Sequence, residues 1–196
     1  MRDRLKNQIE FIMEVDKLKG IMRKNRITVD DRTENDAEHS WHLAMMAPLL
    51  VEYVPEEVDL LKVFKMLVIH DLVEIDAGDT FAFDEKGYVG KFERELEAAK
   101  RIFGILPEDQ SKELLGLWLE FEEGNSIEGK YASAIDKIQP FILNSHTGGR
   151  SWTENNVTKT QVLKRMKIIK EVSEELWNYF LELLDSAIAK GLILDK

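Results

Sequence analysis

A histidine and an aspartate stand side by side at His70-Asp71, with Glu74 one helical turn further on and Asp79 just beyond Gly78. The stretch closes an apolar, helix-like run from Leu60 to Ala77. Side chains three and four positions apart share one face of a helix, so His70, Asp71 and Glu74 can line one wall of a pocket. An imidazole and a carboxylate can grip one cation between them, and a carboxylate a turn away can orient a water or take its proton. Glu74 has a plainer alternative, an ion pair with a nearby Arg or Lys, and Asp79 has one in an Asp-Thr turn.

Two further residues extend this set to four candidate metal ligands: His39, His70, Asp71 and Asp136. His39 falls in the first turn of a helix opened by Asn35-x-x-Glu38, a capping-box pattern. Asp136 lies in Ala-Ile-Asp-Lys, on an otherwise apolar helical face. Burying an unpaired aspartate there costs several kcal/mol, so a cation is its natural partner; the alternative is a core hydrogen bond or the adjacent Lys137. Imidazole and carboxylate donors without thiolates suit one divalent ion of Co, Mn, Mg, Zn or Fe rather than a structural zinc knot.

The elements that must hold these residues are helical. Residues 3 to 22 carry Leu5, Ile9, Ile12 and Leu18 on a charged background, an amphipathic helix. A basic connector follows, with Arg23, Lys24, Arg26 and Arg32, and its many donors fit a loop over a pocket. Helices are then expected from Asn35, with Pro48 marking its last turns; from Pro55 to Gly78; from Phe92 to Gly104; from Pro107 to Gly124; and from Ser126 to Asn144, kinked at Pro140. A second capping box at Thr158-x-x-Gln161 opens one long helix, about 158–190, striped by Val162, Met166, Ile169, Leu176, Phe180 and Leu183. No run of period-two alternation stands out. The reading is all-α, about seven helices in a single domain over 1–196, with a metal-binding core at about 35–145.

Composition narrows the partners. The chain has 196 residues, a net charge of −10 and no cysteine. An acidic surface argues against long nucleic acid, yet leaves room for a small phosphate ester if a bound cation and a few local Arg or Lys residues reverse the field. The lack of cysteine excludes disulfides and a thiol nucleophile. A charged, signal-free start at Met1 to Ile9 and the absence of a membrane-length apolar run lead us to expect a cytoplasmic protein with no membrane partner.

Arg32 to Ser40 and His70 to Asp79 together resemble the HD-domain metal-dependent phosphohydrolases, in the branch of bacterial YfbR-like 5′-deoxynucleotidases and their eukaryotic HD-domain relatives. The resemblance covers about residues 5–185. It implies an all-helical HD fold, one divalent ion on His39, His70, Asp71 and Asp136, a catalytic Glu74, and Asp79 as an acidic residue behind the ligands that also reaches substrate. Arg23 matches the family's substrate arginine, while Lys24 stands where the deoxynucleotidases carry a Trp against the sugar, which loosens the tie to deoxyribose. Arg32 is read as orienting Glu38-His39, His42 as a polar shell residue, and Trp152 either as packing or as a stacking ring in place of that Trp. His146 is a further group that can reach the pocket mouth. The expected activity is hydrolysis of a nucleoside 5′-monophosphate by a homodimer. Phosphodiester or pyrophosphate hydrolysis is the alternative within the family, and a helical binding module that no longer catalyses is the alternative outside it. Four histidines and one His-Asp doublet argue against a multi-iron site.

Overall fold

The apolar run from Leu60 forms α3 (Leu60–Ile69), whose start is fixed by Asp59: its side chain accepts the Lys62 N–H at 3.1 Å. The computed structural model describes residues 2–84 and 86–196; Met1, Glu85 and the side chain of Arg2 lie outside the description. Before α3 come α1 (Arg2–Val15), the antiparallel pair β1 (Met22–Arg26) and β2 (Thr33–Asn35), and α2 (Asp36–Leu50). After it come α4 (Glu74–Ala77), α5 (Lys91–Phe103), α6 (Glu108–Glu123), α7 (Ile127–His146), α8 (Arg150–Glu154), α9 (Lys159–Val172) and α10 (Glu174–Ala189).

Among the described residues the architecture is all-α apart from the β1–β2 hairpin and one isolated bridge between Thr158 and Leu194, and each of the seven expected helices has a counterpart. Four details differ. The basic connector is not a loop: Met22 pairs with Asn35 and Arg26 with Thr33, so the hairpin points Arg23 and Asn25 inward. The long final helix is two, because Ser173 leaves helical geometry and its side chain accepts the Leu176 N–H at 3.2 Å, starting α10 afresh. The Leu60–Ala77 run is broken by a 3-10 turn at His70–Val73. The α1 stripe also differs: Leu18 is buried, but Leu5, Ile9 and Ile12 remain exposed.

Two apolar clusters meet at that 3-10 turn. One gathers Leu43, Met66, Leu67, Ile135, Ile138, Met166 and Phe180 from α2, α3, α7, α9 and α10. The other gathers Leu72, Val73, Ala99, Ile102, Phe103 and Trp118 around α5 and α6, and Leu117 packs against both. Leu72 and Val73 are locked into the second cluster, and Trp118 donates its indole N–H to the His70 carbonyl at 3.2 Å. The turn that carries His70 and Asp71 is therefore clamped from behind. Among the described residues no helix is long and apolar enough to cross a membrane.

Leu67 is fully buried while Leu61, on the same helix, is 67% exposed. Leu67→Ala is expected to cost about 2–5 kcal/mol in chemical unfolding, and Leu61→Ala to stay within about 0.5 kcal/mol. Equal losses at the two positions would contradict this packing.

Candidate metal centre

His39 comes from the first turn of α2, where the capping box is complete: Asn35 accepts the Glu38 N–H at 3.0 Å and Glu38 accepts the Asn35 N–H at 3.1 Å. Arg32 grips the Glu38 carboxylate with both terminal nitrogens at 2.8 and 2.6 Å, so this arginine orients the cap as read. His70 and Asp71 come from the 3-10 turn and Asp136 from the middle of α7. The four converge. His39 Nε2 lies 3.1 Å from Asp136 Oδ1 and 3.8 Å from Asp71 Oδ2. His70 Nε2 lies 3.2 Å from Asp71 Oδ1 and 3.6 Å from Asp136 Oδ1.

The protons on these rings can be placed. His70 Nδ1 donates to the Leu67 carbonyl at 2.9 Å, and His39 Nδ1 donates to Gln139 Oε1 at 2.9 Å. Each ring, if neutral, therefore turns a lone pair toward carboxylate oxygens. Acceptor facing acceptor in a buried place is repulsive unless a proton or a cation lies between. The His70 Nε2 has no hydrogen-bond partner. An imidazole–carboxylate donor set of this kind, with an orphaned ring nitrogen, fits a divalent ion.

Charges around the cluster follow the same logic. Burial works against a charged His70 ring, but Asp71 and Asp136 outweigh it and hold its pKa up at about 10. Burial likewise opposes ionising Asp71, and His70 with Arg23 more than compensates, leaving it well below the usual carboxylate range; Asp136 is lowered in the same way by the two histidines. Glu74 is the opposite case: burial, then the charges of Asp71 and Asp36, push its carboxyl up to about 12. Its Oε2 is buried with no partner. Asp79 is raised by burial against the pull of Arg23.

Several residues of the centre were not legible as such in the sequence. Asp36 is fully buried, its carboxyl raised to about 6 chiefly by burial, and one of its oxygens accepts from Arg23 Nη1 at 3.0 Å. The same nitrogen donates to Asp71 at 2.8 Å, so one guanidinium ties hairpin, helix and turn together. Buried Glu34 accepts from Asn25 and from Gln139, both at 2.7 Å. Gln139, one turn after Asp136, thus holds His39 and is itself held by Glu34 and by His42 at 3.0 Å. A single buried-face amide at Gln139, three residues from Asp136, was the one signal available.

Arg23, Lys24 and Asp79 line a cleft beside the cluster, with Phe81, Phe83, Lys137, Trp152 and Arg165. Trp152 is buried against Phe141, ring centroids 4.6 Å apart, so it packs in the core even as it lines the cleft. His146 bonds its own helix at the Ile142 carbonyl and lines a different hollow, away from the cluster.

A family profile described as an HD domain matches residues 15–177. A crystal structure of a protein described as a predicted metal-dependent phosphohydrolase from Magnetospirillum magnetotacticum MS-1 superimposes with a TM-score of 0.93 at 45% identity, covering 98% of this chain and 96% of that one. The 5′-deoxynucleotidase HDDC2 of Bos taurus is 29% identical over 138 residues, 70% of this chain and 66% of that protein. Its Homo sapiens counterpart is 29% identical over 135 residues, 68% of this chain and 65% of that protein. The chain therefore spans just under two thirds of the length of these curated relatives.

Because a cation must take the place of the His70 proton, ion binding below pH 10 is expected to release protons. The sign follows from a folded pKa above the ordinary imidazole value: the ring stays charged until the pH rises through about 10. Affinity for Mn or Co should therefore climb between pH 6 and 9, by about tenfold per unit for each proton displaced. Calorimetry in buffers of different ionisation enthalpy measures this, and binding that is independent of both buffer and pH would contradict it.

Proposed function

This chain belongs to the HD-domain family, and from that premise we propose that it is a metal-dependent phosphohydrolase releasing phosphate from (deoxy)nucleoside 5′-monophosphates. One observation carries the reading: buried imidazole nitrogens and carboxylate oxygens from three distant segments face one another beside a cleft lined by Arg23. His39, His70, Asp71 and Asp136 would hold the ion. When bound, a divalent ion supplies Lewis acidity toward a phosphoryl oxygen and lowers the pKa of a water.

The chain's own residues do the rest. Arg23 has one nitrogen committed to Asp36 and Asp71 and lines the cleft, where its fork can receive phosphoryl oxygens. Glu74 is the buried acid with a free oxygen next to the ligands, so it holds or moves the proton in transfer to or from the reacting oxygens. Asp79 and Lys24 lie at the cleft wall and would meet the sugar. The names of the HDDC2 relatives support a nucleotide monoester over the phosphodiester or pyrophosphate alternative. Residues 1–196 are read as one unit, since Leu117 packs against both apolar clusters.

We further propose a homodimer through the outer face of α2, where Trp41, Met45 and Leu49 recur at four-residue spacing and are 65%, 51% and 66% exposed. A contiguous stripe of large apolar side chains is characteristic of an interface.

With Mn or Co, phosphate release from a panel of nucleoside monophosphates is expected, and Glu74→Gln should lower kcat by about 10²-fold or more. No release from any monophosphate with any ion tried would overturn the assignment, and undiminished turnover by Glu74→Gln would remove that residue from the chemistry. For assembly, light scattering should read twice the 22.7 kDa chain mass, and Trp41→Asp should halve it; a monomer at micromolar concentration defeats the dimer.

A further inference from the structure

The cleft does not end at the cluster. Ala82, Phe83, Lys137 and Arg165 line it and also line a second lobe, which continues between α7 and α9 to Tyr88, Gln161 and Lys164. Three cations, Lys137, Lys164 and Arg165, thus surround one concave space, and no carboxylate lines it among the described residues. Their polar partners are neutral: Lys137 reaches the Ser133 hydroxyl, and Arg165 donates to the Tyr88 hydroxyl at 2.9 Å.

This is out of keeping with the rest of the surface. The chain has 37 acidic and 27 basic Lys and Arg residues, and cations elsewhere, such as Arg4, Lys62, Lys65 and Arg101, sit against carboxylates. Gathering like charges in a hollow is unfavourable, and concave walls strengthen the field they make. An anion relieves that repulsion, and a guanidinium flanked by ammonium groups suits the oxygens of a phosphate.

We propose that this lobe receives a second phosphate of the substrate, so that the preferred esters are bisphosphorylated, with one phosphate at Arg23 and the other among Lys137, Lys164 and Arg165. The inference rests on the phosphomonoesterase reading for the first of these positions. The two lobes share four lining residues, so one small molecule can span them. Lys24, which replaces the ring expected beside the sugar, adds positive charge along the same route.

The test compares deoxyadenosine 5′-monophosphate with deoxyadenosine 3′,5′-bisphosphate. In the Mn-loaded protein the bisphosphate should be hydrolysed with a KM lower by about tenfold, the scale of one added charge-assisted contact, and with kcat little changed. Lys164→Ala, which lines only the second lobe, should erode that advantage while leaving the monophosphate KM within about twofold, and Arg165→Ala, which lines both lobes, should raise the bisphosphate KM more than the monophosphate KM. Lys164 is exposed, so its variant guards against a folding defect at Arg165. Calorimetric titration of Glu74→Gln with both compounds reads the lobe separately from turnover. Equal affinity for the two overturns the second-phosphate site, as does an equal loss for both in the Lys164 and Arg165 variants. If neither compound is hydrolysed by the wild type, the proposed function fails, and the calorimetry still decides the lobe.

Discussion

Acceptor facing acceptor is the constraint on which this structure turns. His39 and His70 each spend their Nδ1 proton on a fixed partner, Gln139 and the Leu67 carbonyl, and so aim Nε2 at the oxygens of Asp71 and Asp136. In a buried space such a set stands only if positive charge enters it. Part of that charge is built in, as Arg23 reaches Asp71 and Asp36 with one nitrogen. The remainder must come from protons on the rings or from a cation. The proton held by His70 and the affinity for an ion are two sides of the same electrostatic demand.

The fold meets this demand by rigidity. The 3-10 turn at His70–Val73 is pinned by Leu72 and Val73 in one apolar cluster and by the Trp118 bond to the His70 carbonyl, while the His70 ring packs 5.0 Å from Phe121. Asp136 is presented by the middle of α7, where Ile135 and Ile138 are buried on either side. Groups that are poorly compatible with burial are thereby held close without room to move apart. Glu74 records the cost: burial, and then the charges of Asp71 and Asp36 beside it, push its carboxyl up to about 12.

On the proposed phosphohydrolase reading, an acidic chain must keep its negative charge away from the place where phosphate would bind. Here the carboxylates of the centre are turned inward, against imidazoles and Arg23, whereas the adjoining cleft sets Lys24, Lys137 and Arg165 against the carboxylate of Asp79. Separation of the two signs over a short distance lets a net charge of −10 coexist with a predominantly basic cleft.

His70, Asp71 and Glu74 were legible in the sequence because helical spacing is a local rule: neighbours at one turn share a wall whatever the fold does. The two capping boxes were legible for the same reason, since a cap is closed within four residues. Asp136 could be singled out as a charge on an apolar face, but its distance to His39, 97 residues away, belonged to packing alone. The β1–β2 hairpin escaped detection because strands of five and three residues carry too little alternation to register. With it went the inward roles of Asn25 and Glu34. The break at Ser173 was hidden by an apolar stripe that runs on through both helices. Asp36 carried no separate signal, because an acidic residue in a first helical turn is ordinary. Sequence alone thus located the main helices and the residues that could bind an ion, because those properties are set within a turn or two. Tertiary structure alone decided which of them meet, that Gln139 and Glu34 hold His39, and that Lys137, Lys164 and Arg165 share one hollow, because each of those facts depends on helices distant in the chain being pressed together by their buried faces.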